Sequence, residues 1–176
     1  MRMVPVVVSL FLGVWCLVGC SQTAPGGERV AVQTKPLAVL TGADSRVNKP
    51  AYYRITSDDA WRKLLQHHQG TSGADVYSGS LPALDIDFNQ CMVIAVFQGD
   101  KTNSRGLTIS LEEGIATLAV RFDDMSYQTL GGAVRVAPYA FVVVSKSAKL
   151  VVVEEDVQAL KTNPPEWKER ARLEAR

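Results

Sequence analysis

Met92-Val-Ile-Ala-Val-Phe97 is an unbroken apolar run, and its reading decides the fold. A strand with one wet face alternates apolar and polar residues, whereas a strand covered on both faces reads as a continuous hydrophobic run. The run is therefore expected to be a central strand. Outward from it the chain reads as strand after strand, at 30–33, 37–40 and 51–55 before it and at 106–110, 115–122, 134–145 and 150–154 after it. Leu84, Ile86 and Phe88 alternate with Asp85 and Asp87 in the same strand-like way. Asn48-Lys-Pro50 marks a turn, Glu112-Glu113-Gly114 a tight hairpin and 145–149 another, while 70–79 (GTSGADVYSG) is a loop.

Only one internal segment has a helical period. In 56–68, Thr56 or Ser57 can cap the start, Asp58 and Asp59 suit the positive helix N-terminus, and Trp61, Leu64, Leu65 and His68 fall at i, i+3, i+4 and i+7. This stripe should place Trp61 against a sheet. Short strands in series with one helix imply an α+β, mainly β fold: an antiparallel sheet or sandwich with one packed amphipathic helix. The domain is expected at 30–160. Residues 161–176 follow as a charged tail, read as a solvated helix with Pro165 near its first position and only Trp167, Ala171 and Leu173 apolar.

The chain starts with a different kind of segment. Arg2 precedes a largely apolar stretch from Val4 to Val18, the length of a signal-peptide core and short of the roughly 20 residues a spanning helix needs. Leu17-Val18-Gly19-Cys20 then resembles the lipobox of bacterial lipoproteins. That resemblance implies that residues 1–19 are removed and that Cys20 carries the lipid. It also places the protein in a bacterial cell envelope. Ser21, where an Asp would favour inner-membrane retention, points to the outer membrane in a Gram-negative host. Residues 20–29, small and polar with Pro and Gly, form a flexible tether.

Charge and chemistry-bearing residues narrow the function. The chain has Lys+Arg 19 and Asp+Glu 18; loss of the leader removes only Arg2, leaving eighteen of each. Such a balance gives no electrostatic reason to expect nucleic acid. With Cys16 in the leader and Cys20 lipidated, Cys91 is the one remaining thiol, expected to be buried and structural. The only histidines, His67 and His68, are adjacent, whereas one metal wants the i, i+4 spacing. His68 is expected to complete the apolar stripe and His67 to face water. No G-x-S-x-G elbow, P-loop or G-x-G-x-x-G is present, and the carboxylate pairs at 85/87, 112/113, 123/124 and 154/155 read as solvated faces and turns. The expectation is no catalytic residue, no metal and no cofactor.

The block from Met92 to Ile109, with Ala137-Pro-Tyr139 leading into Ala140-Phe-Val-Val-Val144 and the Trp61 helix upstream, resembles the PrcB C-terminal domain family. That family is named after the small lipoprotein subunit of a spirochaetal protease complex. The resemblance covers roughly 52–155. Where the family shows Pro-Thr-Gly-Gly-Tyr, this chain has Thr102-Asn103-Ser104-Arg105-Gly106 followed by Leu107. What it implies is a non-enzymatic protein-binding module, an accessory subunit of an envelope protease. A looser similarity is to chagasin-type protease inhibitors, which present three loops from a β-sandwich; here the matching stretches are 102–106, Gly131-Gly132 and Pro138-Tyr139. It implies a protease inhibitor as the alternative function, with an envelope enzyme or small-ligand binder behind it. Glycines allow close backbone approach and an exposed tyrosine anchors interfaces. The competing reading makes Gly131-Gly132 a hairpin turn and Tyr139 a core residue.

Overall fold

Two sheets and a helix stack as three layers. The structure, a computed structural model, describes residues 32–69, 85–128, 130–158 and 162–175. The leader, Cys20, the tether and the loop expected at 70–79 lie outside the described residues. In chain order the elements are β1 (Val32–Thr34), β2 (Ala38–Gly42), β3 (Pro50–Ile55), α1 (Asp58–Gln69), β4 (Cys91–Gln98), β5 (Lys101–Thr102), β6 (Ser104–Glu113), β7 (Thr117–Ser126), β8 (Arg135–Val136), β9 (Tyr139–Ser145), β10 (Leu150–Asp156) and β11 (Trp167–Leu173). One sheet has the order β1-β6-β7-β10-β11 and the other β2-β9-β4-β3, with β5 and β8 as a separate two-stranded ribbon.

The apolar run at 92–97 is central for the expected reason. Met92, Ile94 and Val96 of β4 face the other sheet, in a core shared with Leu107, Leu111, Val120, Phe122, Val151 and Val153. Val93, Ala95 and Phe97 point the opposite way, into a second core under the helix. β9 divides its residues in the same manner, with Ala140, Val142 and Val144 on one side and Tyr139, Phe141 and Val143 on the other. β7 has only one covered face, so Leu118, Val120 and Phe122 are buried while Ala119, Arg121 and Asp123 between them are half-buried. The helix buries Trp61, Leu64, Leu65 and His68 as its spacing demands. Trp61 meets Phe141 edge to face at a centroid distance of 5.0 Å, the geometry that ring quadrupoles favour. Ser57 is the cap, its Oγ accepting from Ala60 N.

Four expectations need correction. The tail is not a helix: β11 pairs antiparallel with β10 and completes the edge of the larger sheet. Ala171 and Leu173, two apart, share a strand face and pack on the inter-sheet core. A bulge at Val153/Glu154 brings Glu169 opposite Glu154, and Trp167 lies under Arg121, 5.1 Å from the guanidinium to the ring centroid. An available edge on β10 outweighed local helix propensity.

The second correction is that 145–149 does not close a hairpin. β9 belongs to one sheet and β10 to the other, so this turn carries the chain between layers. β10 consequently lies parallel to β7, the one parallel strand pair among named strands. Third, residues 85–88 form no strand: Asp87 accepts from Asn89 N through its carboxylate and from Gln90 N and Cys91 N through its carbonyl, making a turn into β4. Fourth, the long strand expected at 134–145 breaks at Ala137-Pro138 into β8 and β9. Proline has no N–H for the ladder.

Arg54 ties the layers at one edge. From β3 it donates to the carbonyls of Lys149 (2.8 Å), Ser147 and, more distantly, Leu173 (3.4 Å). Burial lowers its pKa, with nearby Glu174 opposing.

Candidate functional site

The sequence places three stretches as candidates, and the fold brings two of them to one surface. After β4 the chain turns into β5, and Asn103 takes the left-handed conformation at φ 56, a position asparagine tolerates better than most side chains. β5 pairs with β8, so Thr102 lies opposite Arg135. Asn103 then continues the pairing. Its N–H donates to Val134 O at 2.9 Å, its side-chain Oδ1 accepts from Val134 N at 2.9 Å, and its carbonyl accepts from Tyr127 N at 2.7 Å. One residue thus satisfies both ends of the stretch that joins β7 to β8.

Ser104 and Gly106 work inward. Ser104 is buried, donates to the Asp124 carboxylate and accepts from Gly106 N at 3.1 Å. Gly106 sits at φ 117, where a side chain would be strained, and this is where the β6–β7 register shifts. Arg105 points outward, its guanidinium 5.0 Å from the centre of the Tyr127 ring, a cation–π contact. Arg135 pairs with Asp100 at 2.8 Å on the same surface.

The tip itself stands at the surface. Gly131 and Gly132 are exposed, and a Cβ on either would meet nothing within 4 Å. Leu130 is fully exposed at 113%, flanked in sequence by exposed Val134 and Met125. Apolar side chains standing in water on a turn do nothing for the core, which makes them the informative feature here. Arg105, Tyr127 and Leu130 therefore join Thr102, Gly131 and Gly132 on one surface. Tyr127 and Leu130 were not singled out by the sequence; a leucine beside Gly-Gly was the available signal.

Pro138 and Tyr139 leave that surface. Both are buried, so the exposed-anchor reading of Tyr139 is corrected to a core role. Its ring packs 4.3 Å from His68 and 5.1 Å from Phe141. It also covers Gly42 so closely that a Cβ there would lie 2.6 Å from Cε1. Burial, and then Asp44, raises the Tyr139 pKa. The cause is register: as the first residue of β9 it points toward the helix side, where Phe141 and Val143 also point.

Beneath Tyr139 lies a pair the sequence did not reveal. His68 Nδ1 stands 2.9 Å from Ser45 Oγ. That oxygen also accepts from Val47 N at 3.1 Å, and Arg46 N donates to the His68 carbonyl at 2.9 Å. Burial lowers the His68 pKa; Asp44 opposes and exposed His67 adds to the lowering. The pair clamps the segment after β2 onto the last turn of the helix.

The carboxylate pairs 112/113 and 154/155 are engaged structurally. Arg121 bridges Glu112 and Glu154. Lys149 holds Glu113 at 2.7 Å, and Glu155 accepts from Gln98 Nε2 at 3.1 Å and from Arg170 at 2.5 Å. Among the described residues no group of three or more His, Cys, Asp or Glu is placed to hold a metal ion. Cys91 is a free, half-buried thiol beside the helix-side core. Among the described residues no helix is long and apolar enough to cross a membrane. Neither protein-family models, nor curated proteins, nor solved structures match this chain.

Proposed function

We propose that this chain is a lipid-anchored, extracytoplasmic protein-binding module of the bacterial envelope, with no catalytic role of its own. Its partner-facing surface is the end of the sandwich that carries Thr102, Arg105, Tyr127 and Leu130 to Val134. The observation that carries the reading is the fully exposed Leu130 on a stretch fastened at Asn103. An apolar tip on a braced base, beside a stacked Arg–Tyr pair, has the residue types that dominate protein interfaces.

Topology supports a partner away from the membrane. Val32 pairs with Glu113 at one end of β6, and Ser104 pairs with Ser126 at the other. β6 has ten residues, so the candidate surface stands roughly 30 Å from the end where β1 begins. A chain tethered through Cys20 would present Leu130 outward. The resemblance to the PrcB C-terminal domain family supports an accessory subunit of an envelope protease as the specific role. The inhibitor alternative loses support because Pro138 and Tyr139, one of its three loops, are buried.

The test is capture of the tagged lipoprotein from envelopes in mild detergent, alongside the Leu130→Asp variant. A partner recovered near stoichiometrically with the parent chain and lost with Leu130→Asp, at unchanged thermal stability, is the expected result. A chain that emerges alone at low salt, or a partner indifferent to Leu130, sinks the reading.

A further inference from the structure

The opposite end of the sandwich carries its own apolar surface. Val32 is 66% exposed, Leu37 62% and Ile115 70%. Val32 and Ile115 line one shallow cleft together with Thr34, Glu113 and Lys149. Leu37 borders the adjoining opening between the sheets, where Lys35 and Lys146 stand at the rim. Ile115 sits in the β6–β7 turn, a position where small and polar residues are the norm and an exposed isoleucine contributes nothing to folding.

This is also the end where the chain enters the domain. Val32 opens β1 opposite Glu113, next to the Ile115 turn, and eleven residues separate it from Cys20. A Gly- and Ser-containing linker of that length has a root-mean-square span of about 18 Å. An anchored Cys20 therefore holds this end at high effective concentration beside the bilayer. We propose that the turn end of the sandwich rests on the membrane surface, with Val32, Leu37 and Ile115 entering the headgroup region. This rests on the lipid-anchor reading above.

The contact is confined to one side of that end. α1 starts there too, since it follows Ile55, which pairs with Val93 near the start of β4. It brings Asp58 and Asp59, and the turn before β4 brings Asp85 and Asp87. Asp58 is paired with Arg62, and anionic lipid would repel the other three, which keeps the contact to the side of Val32 and Ile115. Lys149 is already bound to Glu113 and to the Gly114 carbonyl, and Lys146 Nζ donates to the Phe88 carbonyl at 2.8 Å, so Lys35 is the lysine of this rim left to meet lipid phosphates. Three apolar side chains make a weak contact by themselves, so the surface engages only when the lipid holds it in place.

The test uses the full, natively processed chain reconstituted in vesicles of phosphatidylcholine and phosphatidylglycerol with brominated acyl chains, which quench tryptophan on contact. Ile115→Trp and Leu130→Trp each add a fluorophore at an exposed position, and Val32→Trp serves if the turn variant folds poorly. The expected result is loss of most of the added emission for Ile115→Trp in vesicles relative to detergent, with Leu130→Trp unchanged. The mass of the N-terminal peptide reports lipidation independently. A lipidated chain whose Ile115→Trp emission is unquenched overturns the contact and leaves the anchor standing. Quenching at 130 instead of 115 overturns it in favour of the inverted orientation. A Cys20 without lipid overturns the anchor and the contact with it.

Discussion

Asn103 and Val134 hold each other through two hydrogen bonds, both 2.9 Å, one between backbones and one from Val134 N to the Asn103 side chain. The side-chain carbonyl stands where a neighbouring strand's carbonyl would be, so the ribbon is extended by one rung without another strand residue. Replacing Asn103 with alanine removes that acceptor and leaves a Cβ residue at φ 56. The expected loss is about 2 kcal/mol. Asn103→Gly restores the backbone freedom but not the acceptor, so it should recover part of the stability. Urea unfolding separates the two terms. Amide exchange at Val134 should speed up in both variants; an unchanged rate would show that the side chain does not brace the tip.

Gly42 and Tyr139 make a second testable pair. A Cβ at 42 would collide with a buried ring, so Gly42→Ala should destabilise by about 1–3 kcal/mol. The same change made in a Tyr139→Ala background should cost much less, because the ring is gone. A double-mutant cycle measures the difference. Equal costs in both backgrounds would mean that the glycine serves some other purpose.

Those two pairs mark how far the sequence could be read. The three-layer arrangement was legible because its physics is local: the runs at 92–97 and 140–144 have no polar position to turn toward water, and Trp61, Leu64, Leu65 and His68 form a single stripe. What the sequence could not show was tertiary choice. Ser145 to Lys149 is a good turn whether the next strand pairs in the same sheet or crosses to the other. Trp167 and Ala171 fit a helix by spacing, while Ala171 and Leu173 fit a strand, and the free edge of β10 decided between them. The same holds for the candidate site. Thr102 to Gly106 and Gly131-Gly132 were visible as turn chemistry, and the ladder through Asn103 unites them. Tyr139 beside a proline reads equally well as an anchor or as core, and only its register on β9 sends it inward.

Arg54 is half-buried and its guanidinium donates to carbonyls, linking β3 to the crossover after β9 and to the end of β11. Arg54→Ala should cost about 1–3 kcal/mol, because the carbonyls of Lys149 and Ser147 lose a charged donor. Arg54→Lys keeps the charge but not the planar fork, and should remain destabilised relative to the parent. Protease sensitivity near Leu173 should increase in both variants. A stability equal to the parent's in Arg54→Lys would show that a point charge suffices.

His68 gives the fold a pH dependence whose sign follows from its surroundings. The ring is packed against Phe97, Tyr139 and Phe141, and burial lowers its pKa despite Asp44. The unfolded chain, with an ordinary histidine pKa near 6.5, therefore takes up a proton at a higher pH than the folded chain does. The group's contribution is fully present above that value. It is lost as pH falls from there toward the folded pKa, because protonation favours the unfolded state. Urea midpoints measured between pH 8 and about pH 5 should fall on acidification, and the fall should be shallower in His68→Leu. Carboxylates also titrate at the acid end, so the diagnostic quantity is the difference between the two profiles. Parallel curves would mean that His68 is protonated equally in both states, and that the Ser45 contact and the aromatic packing do not hold it neutral.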